Sequence, residues 1–597
     1  MRYPLVLAAI LLGVTACDTQ DAETDSAAQA VNLSPAEWDT DVLDEYNAGN
    51  LVYGADKPVA SGRRGAVSGT YSAPAMQAGL EALKQGGTAA DAAIVTALTQ
   101  ISLAAGSWVS YAGFMTVLYY DAASGETYNL NAGWDTVEGE TDPMTIPVAN
   151  QFTDPFGGTP SGRSALVPGF MRGAEALHKR FGKLEWATLF EPAIYYAENG
   201  FEVGPYFANI LKDRKESLSR LPDTRAIFTN ADGEFLQEGD LFRQPDAART
   251  LRAVAANGAD YMYTGPWGQE YVAAIKAEGG RIAQSDLDTY EARWLEPVRG
   301  SFNGYTLVGN GIPSMGGVHT IEALNLLEAS GILENGHWTE NPETFFWVDQ
   351  MTRMMTLGFL EDEVLEQLAP GIDLSPEGRL RKETAEDMWS RMAEGEIALF
   401  KAPLSDDPKH SDAIVVVDRH GNAAAVVHTI NTIFWGRTGI SAGGIVVPDP
   451  ASFQQAQIAK VTPGDRLPDP TTPVLVFRDD ALKFVVSDMG AGLHPKMIQS
   501  LANTLYFGMD VKKANDTPAL MLQKFSPDGS QQAQVAAGEW NEDYLDRVRK
   551  LGLDIHVAPQ SEWRFGRGQW VAISIDPKDG GLRATASQDT NGSAVAY

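Results

Sequence analysis

"PKHSDAIVVVDRHGNAAAVVHTINT" (residues 408–432) reads as a charged loop, an apolar strand, a turn and a second strand. Ser411 is the last hydroxyl before the chain enters that hairpin. A serine leading into a strand is ordinarily a turn or cap residue. At the start of a central strand, behind a stretch that can be cut and moved aside, it is also a rigidly held nucleophile. Cleavage of the His410–Ser411 bond would give Ser411 a free α-amine with a pKa of about 7.7–8.0, fit to act as general base at neutral pH. That chemistry pairs a hydroxyl nucleophile with an N-terminal amine. Position alone leaves both readings open.

The hairpin belongs to a β-rich C-terminal third. Strand-like runs cover 413–418, 423–430, 443–448, 474–478 and 482–487, a helix follows at 495–507, and a final strand lies near 570–575. Upstream, "SAPAMQAGLEALKQGGTAADAAIVTALTQ" (72–100) predicts two helices broken at Gly86-Gly87. "GFMTVLYYD" and "ETYNLNAGW" predict paired strands across Ala-Ser-Gly. Residues 165–295 are mainly helical, strand signals return at "GSFNGYTLVGNG", and helices fill 317–400. The pattern predicts an α/β (α+β) fold, helices packed on stacked sheets.

The 597 residues allow two to four folding units. With 46 basic and 78 acidic residues the net charge is −32, a field that repels phosphate backbones, so no nucleic-acid partner is expected. "MRYPLVLAAILLGVTAC" (1–17) has a basic start, an apolar run too short to span a bilayer, and small residues before Cys17: an export signal. Cys17 is the only cysteine, which excludes an internal disulfide and a cysteine-based metal site. Residues 18–53 read as an acidic tether, with Trp38 and Tyr46 the residues able to fold its end.

Other chemistries lack their motifs. The eight histidines show no HExxH or other zinc spacing, and neither GxGxxG nor GxxxxGK[ST] occurs at a strand–helix junction, so no metal or cofactor is expected. "GAVSGTYSAP" lacks the glycine two before Ser68 that a nucleophile elbow needs. Asp406-Asp407 and Asp479-Asp480 read as solvated turns.

Four segments in order carry a resemblance: "AGLEALKQGGTAADAAIVTAL", "ALVPGFMRGAEALHKRFGKLEWATLFEPAIYYAENGFEV", "GGRIAQSDLDTYEARWLEPVRGSFNGYTLVGNGIPSMGGVHTIEALNLLE" and "VVDRHGNAAAVVHTINTIFWGRTGI". From about residue 54 onward the chain resembles the γ-glutamyltranspeptidase family of N-terminal-nucleophile hydrolases. The resemblance implies an αββα sandwich, made as a precursor that cuts itself into a large part (54–410) and a small part (411–597). It puts Ser411 at the position of the family's catalytic threonine and Thr429 on the threonine that hydrogen-bonds the nucleophile. Asn431 falls on a residue that holds the substrate's amino end. Gly490 and Ala491 fall on the paired glycines whose N–H groups form the oxyanion hole; a backbone donor survives a Gly-to-Ala change. "VTAC" similarly resembles a bacterial lipobox, with Cys17 as the lipidated residue and Asp18 like an inner-membrane retention signal.

The departures concern the substrate. The family grips a glutamyl α-carboxylate with an arginine after the early strand pair, yet the equivalent "NLNAGWDTV" lies in a stretch without arginine between Arg64 and Arg163. A serine pair is replaced by Asp469-Pro470, and an aspartate there would repel a carboxylate. Asp449 is the candidate for the aspartate that grips the substrate amine. The expectation is an exported, lipid-anchored amidohydrolase or acyltransferase of periplasmic location, acting on a small amide or peptide, with altered acyl specificity. The alternative is an inactive, unprocessed family member serving as a periplasmic binding or scaffold protein.

Overall fold

The computed structural model describes residues 31–148, 159–354, 365–367, 369–395, 411–525 and 531–597. Cys17, residues 18–30, His410 and the Asp406-Asp407 pair lie outside them. The hairpin is central. Ser411–Val417 and Ala423–Thr429 pair antiparallel, Ser411 opposite Thr429 and Val417 opposite Ala423, and every residue of both strands is buried. Burial on both faces explains a valine run without polar alternation. Asp418 ties down the turn: its carboxylate accepts from His420 N at 2.8 Å and Asn422 N at 3.1 Å, and from Ala89 N at 3.0 Å. The last contact anchors the hairpin to the positive end of helix Ala89–Ala104.

Two seven-stranded antiparallel sheets stack on each other. The hairpin sheet runs Ala594–Ala596, Ala66–Gly69, Ser411–Val417, Ala423–Thr429, Phe114–Asp121, Glu126–Ala132 and Arg293–Leu295. The second runs Ala60–Gly62, Leu582–Thr585, Val571–Ile575, Ala481–Ser487, Val474–Arg478, Tyr305–Gly309 and Val298–Phe302. Fully buried Val415, Leu475, Val485 and Ile573 belong to one core that joins them. Each such side chain is worth roughly 1.5–3 kcal/mol of burial. Helices Ala73–Lys84, Ala89–Ala104 and Phe170–Phe181 cover the hairpin sheet, while Gly316–Ser330 and Leu493–Leu505 cover the other. The order is α, β, β, α, as expected.

Several elements depart from the sequence reading. The expected strand at 443–448 is a two-rung hairpin, Ser441–Ala442 with Ile445–Val446, because Gly443 and Gly444 both take positive φ and turn the chain. Strands Leu582–Thr585 and Ala594–Ala596 follow the strand near 570–575, which was therefore not the last. Ala66–Gly69, too short and small to show alternation, pairs directly with the Ser411 strand. The acidic tether is also folded from residue 31. Leu33 is fully buried with its N–H on Glu191 Oε2, helix Thr40–Gly49 packs on Ala73–Lys84, and Trp38 and Tyr46 lean on the core. A few large apolar residues outweigh the charge there. Asp479-Asp480 does form a turn, both residues at positive φ between paired strands.

Candidate active site

Ser411 and Thr429 face each other at one end of the central hairpin, 6% and 2% exposed. Side chains alternate along a strand, so this pair shares a face with Ala413, Val427 and Thr116. Thr116 Oγ1 lies 2.7 Å from Thr471 Oγ1, in the segment that leads into the second sheet. Ser411 and Thr429 therefore look into the gap between the sheets. Thr429 Oγ1 accepts the Asn431 N–H at 2.8 Å. Asn431 sits at φ +52°, a conformation asparagine tolerates, and this kink ends the strand while keeping Asn431 buried beside Thr429.

The opposite face of the same two rungs carries a buried polar group. Asp412 pairs with His428 across the strands; Asp412 Oδ1 accepts from Trp108 Nε1 at 2.9 Å, and the Thr70 hydroxyl also bonds this carboxyl. Thr70 Oγ1 in turn accepts the Ala413 N–H at 3.0 Å. Burial pushes the Asp412 carboxyl well above its usual range, against the pull of those hydrogen bonds. Burial likewise pushes the His428 imidazole down to about 3, and its Nε2 lies 2.8 Å from Gln100 Oε1.

Gly490 and Ala491 form the turn between strand Ala481–Ser487 and helix Leu493–Leu505. The strand's end touches the hairpin, Ser487 Oγ donating to Val426 O at 3.2 Å. Gly490 has φ +92°, and a Cβ there would lie 2.8 Å from Arg567 O, so the position demands glycine. Among the described residues neither the Gly490 nor the Ala491 N–H has an acceptor. Asp488 Oδ1 holds the turn by accepting Met489 N at 2.7 Å and Gln569 N at 2.6 Å.

Asp469 is buried, and its oxygens are spent inside the protein. Oδ2 accepts from Ser314 Oγ at 2.5 Å and Asn131 Nδ2 at 3.5 Å, while Oδ1 takes the Thr471 N–H at 3.0 Å and the Thr471 hydroxyl. Burial raises its pKa despite these bonds and the nearby Arg466. Arg466 is the residue the sequence reading missed. No arginine occurs along "NLNAGWDTV", but Arg466 enters from a segment more than three hundred residues away, its Cδ 3.1 Å from where a Gly133 Cβ would stand. Its guanidinium bonds Asp135 Oδ1 at 2.5 Å, Asn131 O at 2.8 Å and Glu291 O at 2.8 Å. Only a search beyond the strand-pair region, into the "DRLPDP" stretch, would have found it.

Asp449 is placed beside Asn431 through its neighbour: Asp449 Oδ1 accepts from Thr432 Oγ1 at 2.6 Å. Its other oxygen takes the Arg437 N–H at 3.0 Å and Arg437 Nη1 at 3.3 Å. Both oxygens thus hold the 432–449 loop, a structural duty the sequence did not signal. Among the described residues no three His, Cys, Asp or Glu side chains are grouped to hold a metal ion.

Two face-packed antiparallel sheets between helical layers, with a hydroxyl residue opening a central strand, define the N-terminal-nucleophile hydrolase class. Within it, the Gamma-glutamyltranspeptidase family model matches residues 75–597, and the chain belongs to that family. The Acylase ACY 1 proenzyme of Pseudomonas sp. (strain SE83) is 29% identical over 451 residues, 73% of this chain and 75% of the acylase. The Glutathione hydrolase proenzyme of Bacillus subtilis (strain 168) is 25% identical over 579 residues, 91% and 93% of the two chains. Cephalosporin acylase from Bacillus halodurans shares the fold with a TM-score of 0.73 at 22% identity, covering 91% of this chain and 97% of that one. The protein is an enzyme of the γ-glutamyltransferase and amidohydrolase type.

Proposed function

We propose that the protein is a self-processing amidohydrolase or acyltransferase whose nucleophile is Ser411, with acyl specificity moved away from γ-glutamyl groups. The observation that carries this is the placement of Ser411: first residue of the buried central strand, opposite Thr429, facing the gap between the sheets. In processing, Ser411 Oγ adds to the His410 carbonyl carbon, the C–N bond breaks as an ester forms, and the Oγ proton moves to the departing amine. Water then hydrolyses the ester and frees the Ser411 α-amine. In turnover that amine takes the Oγ proton as Ser411 attacks a substrate amide, then delivers it to the leaving amine. The acyl-enzyme passes its acyl group to water or to an acceptor amine. The unengaged N–H groups of Gly490 and Ala491 are suited to the developing oxyanion, and Asn431 to the substrate's amino end.

Specificity follows from charges already committed. A γ-glutamyl group brings a carboxylate and an ammonium, but Arg466, Asp469 and Asp449 are bonded to protein partners. Releasing Arg466 from Asp135 or Asp449 from Arg437 would leave a buried charge without its mate, and releasing Asp469 would leave a buried carboxyl without its hydrogen bonds. Purified enzyme should turn over uncharged acyl anilides at least tenfold faster than γ-glutamyl anilide, and Ser411→Ala should abolish both. Comparable γ-glutamyl turnover would overturn the specificity; turnover surviving in Ser411→Ala would overturn the nucleophile.

The export signal ending at Cys17 supports a lipid-anchored periplasmic enzyme. Cys17→Ala should move the protein from the membrane fraction to the soluble one, and an unchanged distribution would contradict anchoring.

A further inference from the structure

The strand that Ser411 opens is not flanked evenly along its length. Strand Ala66–Gly69 runs beside it only from Ile414 onward, with Ile414 opposite Gly69. One further main-chain bond follows, Thr70 N to Ala413 O at 3.1 Å. The chain then turns away through Tyr71 and Ser72, the latter at φ +65°. Among the described strands, Ser411 and Asp412 therefore have a partner on one flank only, Ala423–Thr429. A strand end paired on one side frays readily, and more so once the chain before it is cut away.

Side chains replace the missing flank. The Asp412 carboxyl takes the Trp108 indole N–H at 2.9 Å and is also bonded by the Thr70 hydroxyl, whose oxygen accepts the Ala413 N–H at 3.0 Å. Trp108 holds the facing strand too, its carbonyl accepting the Ile430 N–H at 3.2 Å, one residue past Thr429. One tryptophan thus ties both strands beside the rung that carries Ser411 and Thr429. Trp108 is itself fixed. It is 3% exposed, its ring lies 4.6 Å from Tyr71 and 6.2 Å from Phe434, and the carbonyl before it, Ser107 O, accepts the Trp435 N–H at 2.7 Å. Side chains alternate along a strand, so Asp412 faces away from Ser411 Oγ and acts on it only through the main chain.

We propose that Asp412 is a positioning residue: with Trp108 and Thr70 it anchors the freed strand end, keeping Ser411 opposite Thr429 after the chain before it is cut. This rests on the reading of Ser411 as nucleophile and new N-terminus. Before the cut, the preceding chain also restrains Ser411; after it, the anchor acts alone on that flank. The anchor therefore matters more for turnover than for processing.

The test compares wild type, Asp412→Ala, Asp412→Asn and Trp108→Phe at pH 8. Intact mass follows the cut, hydrogen exchange follows the amides of 411–417, and turnover is measured with whichever uncharged acyl anilide or γ-glutamyl anilide the wild type prefers. All four proteins should be cut. In Asp412→Ala and in Trp108→Phe, which removes the indole N–H, kcat should fall by about tenfold or more while KM stays within about threefold. Exchange at 411–417 in the cut enzymes should rise by about tenfold or more. Asp412→Asn keeps an acceptor for the indole and should hold both readouts within about threefold of wild type. Should Asp412→Ala not fold, Trp108→Phe carries the same comparison. Unchanged kcat or exchange in a cut Asp412→Ala would overturn the anchor, as would Asp412→Asn falling as far as Asp412→Ala. An Asp412→Ala that folds but is not cut would place Asp412 in the cut itself and overturn it too. The two claims fail differently: an uncut wild type, or turnover surviving in Ser411→Ala, contradicts the nucleophile reading and the anchor with it, whereas a cut, active wild type matched by Asp412→Ala contradicts the anchor alone.

Discussion

The Asp412 carboxyl and the His428 imidazole lie 4.0 Å apart on the helix-facing side of the central hairpin, one rung inside the Ser411–Thr429 pair. Their separation is that of an ion pair, but burial disfavours both charged forms, pushing the acid's pKa up and the base's down. Among the described residues Asp412 Oδ2 and His428 Nδ1 have no hydrogen-bond partner. The strand that Ser411 opens is thus backed by a buried carboxyl and a buried imidazole.

A carboxyl whose folded pKa exceeds its unfolded value of about 3.9 contributes stability that declines as pH rises through that interval. Asp412→Asn keeps the acceptor for Trp108 Nε1 without the titration. Denaturant unfolding should show Asp412→Asn more stable than wild type at pH 8, with the gap closing near pH 4. Asp412→Ala, which leaves the buried indole N–H without its acceptor, should cost about 1–3 kcal/mol near pH 4 and less at pH 8, where it too escapes the titration.

His428 runs the other way. Its folded pKa of about 3 lies below the unfolded value near 6.5, so its contribution is full above 6.5 and is lost as pH falls toward 3. The slope is up to about 1.4 kcal/mol per pH unit. His428→Gln should flatten the acid limb of a stability-versus-pH curve, and an unchanged limb would show that His428 is not held neutral.

Asp449 holds Arg437 and Thr432 with both oxygens at 1% exposure. Asp449→Ala should cost about 3–5 kcal/mol of stability, because the Arg437 guanidinium loses its buried counter-charge. Loss of activity with undiminished stability would instead make Asp449 a substrate contact.

Thr429 tests the geometry around Ser411 directly. Thr429→Ser retains an oxygen for the Asn431 N–H, whereas Thr429→Val removes it and should cost about 1–3 kcal/mol. In a time course of fragment formation, Thr429→Val should process at least tenfold more slowly than wild type and Thr429→Ser within a few fold.

Much of this was legible in the sequence where residues speak locally. Helix boundaries around Gly86-Gly87, the hairpin at 411–429 and the strands at 474–487 follow from periodicity and turn residues, and lie within two residues of expectation. The residues that shape the pocket do not speak locally. Arg466 fills the space beside Gly133 from a distant loop, and Asp469 is silenced by Ser314. Gly443-Gly444 broke one expected strand, and Ala66–Gly69 was too small to announce another. Long-range polar contacts carry no periodic signal, so specificity was the part least readable.

The central claim is that Ser411 becomes an N-terminus. Intact-mass measurement with N-terminal sequencing of the purified protein is its most direct test. The expected result is a small fragment spanning 411–597 that begins Ser-Asp-Ala-Ile, absent from Ser411→Ala. A single uncut chain in the wild type, or the same fragment persisting in Ser411→Ala, would contradict it.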